Sequence, residues 1–187
     1  IADRKIKAPG AAFVEIQDLP NNVLKYLLPS RYCETEYFGQ LAREITVNKK
    51  PGYDQVAAIE TWLRNSIKYD SCYSDHFVSA IEVHGRQCGV CRDFAHLGIA
   101  LCRSISIPAR LVVGYLYALE PMDLHAWFEA FVGGQWYLFD ATQPFLRPGY
   151  VVLGIGRDAA DVAVYNQFGP PVHPICQTVS VQNIEQL

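Results

Sequence analysis

At Ile107-Pro108 the hydrophobic period of this 187-residue chain changes, and that change constrains the fold more than any other feature. Before the proline, apolar residues recur at helical spacing; after it they cluster and alternate as strands do. Proline disfavours helical backbone at the residue before it, so the break is a physical boundary. The helix that ends there carries Phe94, Ala95, Leu97, Ala100, Leu101 and Ile105 on its apolar side. Further upstream, residues 53–67 form a strongly amphipathic pattern with Val56, Ile59, Trp62, Leu63 and Ile67 facing inward. Shorter helices are predicted over 21–27, capped by Asn21-Asn22 and stopped by Pro29, over 35–45, capped by Thr35, and over 76–83. Residues 1–20 are expected to be an irregular arm, extended over 11–16, residues 68–70 to be extended, and Gly85-Arg86 to be a turn.

Downstream of the proline, strands are predicted over 109–119, 125–132, 135–142, 150–155 and 174–184. The expected architecture is α+β: a single domain over 1–187, with a helical lobe over 21–107 and an antiparallel sheet over 108–187. A chain this long buries roughly 70% of the surface its unfolded form exposes, enough for a core without staples.

Gly133-Gly134 between two strand-like runs is a hairpin signal. With those glycines as the two central turn residues, His125 faces Thr142 and Trp127 faces Asp140. Opposed residues share a face and a strand alternates faces with period two, so all four point the same way. His125 and Asp140 become diagonal neighbours, roughly 7–8 Å apart between backbones and within side-chain reach. A three-residue turn would shift the register and divide them between faces.

Cys91 stands where a loop becomes a buried helix. The unpaired N–H groups and dipole of a helix start favour thiolate over thiol, and the thiolate is the nucleophile. Cys91, His125 and Asp140 are therefore the candidate catalytic residues. The carboxylate holds one imidazole nitrogen and fixes the tautomer; the other nitrogen takes the thiol proton. The thiolate can then attack an amide carbonyl and form a thioester. Water as second nucleophile gives hydrolysis; a lysine amine gives transamidation. Backbone N–H groups at the helix start, that of Cys91 included, would hold the oxyanion, with the side chain of Gln87 as a further candidate donor.

Other residues carry blander readings. Cys88-x-x-Cys91 could be a redox pair or half a zinc site, but no second Cys-x-x-Cys follows. Cys102 reads as a small core residue, and His96, five residues beyond Cys91, as structural or as a hydrogen-bond donor behind the site. His84 and His173 are expected in solvated turns, Asp93 as a helix cap, Trp127 and Trp136 as core or groove wall, and Arg157-Asp158 as an internal ion pair or groove element. A net charge of −3 with no long run of one sign excludes nothing but gives no sign of nucleic acid or an anionic membrane as partner. No apolar run reaches 18 residues, as a membrane-spanning helix requires. Six scattered cysteines favour a reducing cytoplasm over a disulfide framework.

Five blocks, in order, then carry a resemblance: Gly89-Val90-Cys91-Arg92-Asp93-Phe94-Ala95-His96, Ile107-Pro108-Ala109-Arg110, Val113-Gly114-Tyr115, His125-Ala126-Trp127-Phe128-Glu129, and Trp136 through Phe139-Asp140-Ala141-Thr142. Their order and spacing resemble the transglutaminase-like superfamily, and within it a bacterial group described as cysteine proteases. The run Gly154 to Val162 and Phe168-Gly169-Pro170 resemble that group too; Leu28-Pro29-Ser30 and the Trp62 helix do so more loosely. The resemblance implies a papain-like fold, with Cys91 as nucleophile, His125 as base and Asp140 as carboxylate. It implies a cysteine peptidase or amidase acting on a peptide or protein substrate, with a protein-glutamine transamidase and a silent binding module as alternatives. No cofactor and no metal are expected, since no acidic calcium loop is seen. Two departures stand out: Cys88, where relatives more often carry a small residue, and no room for the β-rich domain that many bacterial members carry upstream.

Overall fold

The structure, a computed structural model, describes residues 8–71, 78–162 and 178–182. Its first half is helical: α1 (Asn21–Leu24), α2 (Gly39–Ile45), α3 (Tyr53–Ser66), α4 (Ala80–Arg86) and α5 (Cys91–Ser104). Two-residue strands β1 (Lys68–Tyr69) and β2 (Cys88–Gly89) pair in parallel beside the start of α5. Then come β3 (Ala109–Leu116), β4 (His125–Val132), β5 (Gln135–Phe139) and β6 (Tyr150–Gly156). These four form one antiparallel sheet in the order β5-β4-β3-β6.

Helix α5 is the central element. Every residue from Asp93 to Arg103 is buried, so this helix is enclosed on all sides, with its polar residues Asp93, His96 and Arg103 held by hydrogen bonds. One side meets the sheet through Ala126, Phe128, Ala130 and Val132; other sides meet Val56, Ile59 and Leu63 of α3 and Val83 of α4 within one core. Gly98 sets the spacing: a Cβ there would lie 2.7 Å from Phe128 Cε1. The opposite face of the sheet carries a second cluster of Val112, Leu116, Trp127, Leu138 and Tyr150.

The hairpin forms as the glycine pair predicts. Gly133 and Gly134 have φ of 57° and 77°, the positive values that a two-residue type I′ turn needs at both central positions. The register follows, from Val132↔Gln135 to Phe128↔Phe139. The extended arm clasps this tip: Gly133 N–H donates to Ala12 O at 2.7 Å, and Tyr53 N–H to Ala11 O at 2.9 Å.

Several boundaries differ from the sequence reading. The second strand of the hairpin stops at Phe139, three residues early, because the Asp140 side chain accepts from Thr142 N–H and folds the chain into a local turn that leaves the ladder. The helix predicted from Thr35 is a 3-10 turn (Thr35–Tyr37) followed by α2 from Gly39; the tighter turn brings Phe38 into the core between them. The first helix ends at Leu24, and the strand after Pro108 at Leu116. The fourth helix starts at Ala80, capped by Ser79, whose N–H donates to Glu82 Oε2 at 2.8 Å. It runs through Gly85-Arg86, and the turn comes at Gln87 (φ 53°) instead. Residues 178–182 have no regular structure, and the rest of the strand predicted over 174–184 lies outside the described residues, as do Cys72, Cys176, His173 and Phe168-Gly169-Pro170.

Candidate active site

Cys91 is the first residue of α5, half-buried, and it follows an extended Val90 (φ −102°, ψ 178°). The junction is held from within the helix: Asp93 Oδ2 accepts the Val90 N–H at 3.0 Å, while Arg92 Nε donates to Asp93 Oδ1 at 3.1 Å. Gly89 makes room for this, since a Cβ there would sit 2.7 Å from that of Asp93. Asp93 therefore caps the helix as expected, but it is fully buried; burial pushes its carboxyl up, against the pull of Arg92 and the Val90 amide.

His125 opens β4 opposite Gly114 of β3, and Asp140 is the first residue past β5. Their side chains meet at 2.6 Å, Nε2 to Oδ2, with both residues buried. The expected pairings of His125 with Thr142 and Trp127 with Asp140 do not form, since the ladder ends at Phe128↔Phe139. The bond is made instead from the turn just past β5. The Cys91 thiol lies close enough to act on the imidazole's charge. Burial works against a charged His125, but the bonds and charges of Asp140 and Cys91 outweigh it and hold the imidazole up at about 10. Burial likewise opposes a charged Asp140, yet donors from His125, Thr142 and Tyr150 hold its carboxyl below the usual range.

The family model of the transglutaminase-like superfamily matches residues 39–141, which takes in α5, the hairpin and Asp140. The chain belongs to the transglutaminase-like superfamily. Among solved structures, a Cytophaga hutchinsonii protein described as a candidate cysteine protease is 44% identical, with a TM-score of 0.81 over 86% of this chain and 55% of that one. The periplasmic domain of TgpA from Pseudomonas aeruginosa shares the fold at 22% identity and a TM-score of 0.52, over 66% of this chain and 47% of that one. An uncharacterized Mycobacterium leprae protein, ML0607, is 33% identical over 132 residues, 66% of this chain and 47% of its own length. The chain spans about half the length of these three. The helix-bearing lobe packed on an antiparallel sheet is the papain-like transglutaminase fold.

In this transglutaminase-like chain, four residues that support Asp140 escaped the sequence reading or were only partly placed by it. Thr142 donates to Asp140 Oδ1 through both Oγ1 (2.7 Å) and backbone N–H (3.1 Å). Tyr150 Oη donates to Oδ2 at 2.8 Å. From α3, Glu60 Oε1 accepts the Asp140 N–H at 2.9 Å, and Arg64 donates to Asp140 O at 3.3 Å and Gln143 O at 3.1 Å. Thr142 shared the predicted face. Glu60 and Arg64 show only an i,i+4 helix pair in sequence, which by default is a surface feature. Tyr150 carries no local signal.

The remaining candidates take structural places. His96 is fully buried and stacks on Tyr32 at 5.3 Å; its Nδ1 faces Val78 O (3.3 Å) and its Nε2 accepts from Ala159 N–H (3.2 Å). Burial drives it down to about 4, so it is neutral, with Nδ1 the donor. Arg157 pairs with Asp161 (2.8 Å) rather than with Asp158; Asp158 is buried and accepts from Tyr32 N–H and Ala160 N–H instead. His84 lies in the last turn of α4, half-buried between the rings of Phe38 and Trp62, not in a solvated turn. Cys102 is core, as expected.

Cys33, Cys88, Cys91 and Cys102 are free thiols. Between Cys88 and Cys91 stand a strand residue and the extended Val90. Such a span holds the two Cα atoms roughly 10 Å apart. A disulfide reaches only about 7 Å. A Cys88–Cys91 bridge would require the β2–α5 junction to rearrange.

Proposed function

We propose that the chain is a thiol-dependent acyl-transfer enzyme, a cysteine peptidase or amidase, with Cys91 as nucleophile, His125 as general base and acid, and Asp140 as the orienting carboxylate. One observation carries this reading: a single buried imidazole bonds Asp140 at 2.6 Å through Nε2, and its charge is favoured by Asp140 and by Cys91 at the start of α5. An imidazolium at neutral pH is the partner a thiolate needs. The thiolate attacks an amide carbonyl, and the C–N bond breaks as His125 gives its proton to the leaving amine. The resulting thioester is attacked by water, whose proton His125 takes, and the acid leaves with the thiol restored. The Cys91 N–H, in the first turn of α5, has no intrahelical acceptor, the Gln87 carbonyl four residues back accepting from Lys68 instead, and is the candidate oxyanion donor.

The peptidase reading draws on the likeness to the Cytophaga hutchinsonii protein described as a candidate cysteine protease. The substrate is taken to be a peptide or protein. Among the described residues no helix is long and apolar enough to cross a membrane. A cytoplasmic location rests on cysteine usage alone.

The test has two stages. Iodoacetamide at mildly acid pH should alkylate Cys91 far faster than Cys88, and His125→Ala should abolish the difference; equal rates for the two thiols sink the reading. A peptide library incubated with and without a primary amine, then analysed by mass spectrometry, separates cleavage and deamidation from amine incorporation. Amine incorporation would reassign the chain to transamidation, and no covalent change at all would favour a silent binding module.

A further inference from the structure

Tyr150 reaches Asp140 from the far side of the sheet. It opens β6, which borders β3 at the edge opposite β5, yet its hydroxyl bonds the same Oδ2 that His125 bonds. Its approach is built in. Gly149, at φ 110°, turns the chain directly before it, in a region closed to most side chains. The β3–β6 register shifts between Val113 and Gly114, and a Cβ on Gly114 would collide with the carbonyl of Val151. The Tyr150 ring then packs edge-on against Trp127 at 5.0 Å, which fixes where its hydroxyl points.

We propose that Tyr150 is a positioning residue, which fixes the orientation of Asp140 toward His125 and so tunes the Cys91–His125 pair. This rests on Asp140 being the orienting carboxylate of the proposed function. With Oδ1 tied twice to Thr142, the carboxylate cannot rotate. With one side of Oδ2 taken by Tyr150, a single direction is left for the imidazole. The hydroxyl also brings a positive dipole end to a buried anion, which disfavours proton uptake by the whole cluster. Burial and the Asp140 charge push the phenol up, so it stays a donor. The charged or titratable groups facing Asp140, Tyr150 and the His125 they serve include Glu60 and Arg64 of α3, Tyr69 of β1, Cys91 of α5, His125 of β4, and Arg147 of the β5–β6 connection. They are the same in all the variants below.

The experiment follows Cys91 alkylation by iodoacetamide against pH, together with the Asp140 carboxyl titration by carbon-13 NMR. In Tyr150→Phe, which keeps the ring on Trp127, the acid limb of alkylation and the Asp140 midpoint should both move up by about one pH unit, a roughly tenfold loss of rate at the acid end. With 3-fluorotyrosine at position 150, the more acidic phenol should move both down, and this variant decides the matter if Tyr150→Phe does not fold. Unchanged limb and midpoint in either variant overturn the proposal. A wild-type Cys91 no more reactive than Cys88 defeats the acyl-transfer reading, and the Asp140 titration still decides what Tyr150 does.

Discussion

Glu60 accepts the backbone N–H of Asp140 at 2.9 Å, eighty residues along the chain, so α3 grips the turn on which the carboxylate stands. Arg64, one turn on, pairs with Glu60 at 3.3 Å and holds the carbonyls of Asp140 and Gln143. Removing the acceptor leaves a partly buried amide unpaired, which costs about 1–3 kcal/mol. Glu60→Ala should lose that much in urea unfolding and should slow Cys91 alkylation. Glu60→Gln, which keeps a carbonyl oxygen, should stay close to wild type on both counts.

His125 makes stability fall at alkaline pH. Its unfolded imidazole titrates near about 6.5. Folded, it is held up at about 10. Between those values the folded state binds the extra proton, so the contribution is complete below the lower value and is lost as pH rises through the upper one. Urea midpoints of the wild type should fall from pH 7 to pH 10 more steeply than those of Asp140→Asn, in which the imidazolium loses its partner. Parallel curves for the two proteins would contradict the ion pair.

His96 acts at the acid end with the opposite sign. Burial holds it down at about 4 in the folded protein. The unfolded state therefore binds more protons below about 6.5, and stability falls as pH drops through the window down to about 4. The drop should amount to about 3 kcal/mol, from roughly 1.4 kcal/mol per pH unit. His96→Gln should be less stable at pH 7 and should show a shallower loss between pH 7 and pH 4.5.

Gly98 lets α5 pack directly on Phe128 of β4. Gly98→Ala drives a methyl into Phe128 and should destabilise by about 1–3 kcal/mol, as overpacking does. Phe128→Leu in the same chain should recover part of the loss in thermal unfolding. Gly85, with nothing near its Cβ position, is the control: Gly85→Ala lies in the exposed last turn of α4 and should be neutral or mildly stabilising.

The helix–sheet division at Pro108 was legible in sequence because periodicity is a local signal, and the hairpin was legible because two glycines specify one turn geometry and hence one register. The Ser79–Glu82 capping box is a local pattern, Ser-x-x-Glu before a helix, yet the helix was placed over 76–83 instead of Ala80–Arg86. The early end of the β5 run was harder, because it depends on one carboxylate choosing its own turn over the ladder. Arg157 was misassigned because two acidic partners lie close in sequence, and backbone geometry, not spacing, selects Asp161.

By itself the sequence determined the α+β layout, the placement of Cys91 at a helix start, and the hairpin that brings His125 and Asp140 to the same end of the sheet. Each follows from residues within one element or one turn. Only the tertiary structure decided what holds Asp140 in place. Its carboxylate answers to Thr142 beside it and Tyr150 across the sheet, and its backbone to Glu60 and Arg64 on a helix far upstream. A buried charge must be satisfied by whatever the fold brings within about 3 Å, and no local pattern encodes which distant residues those will be.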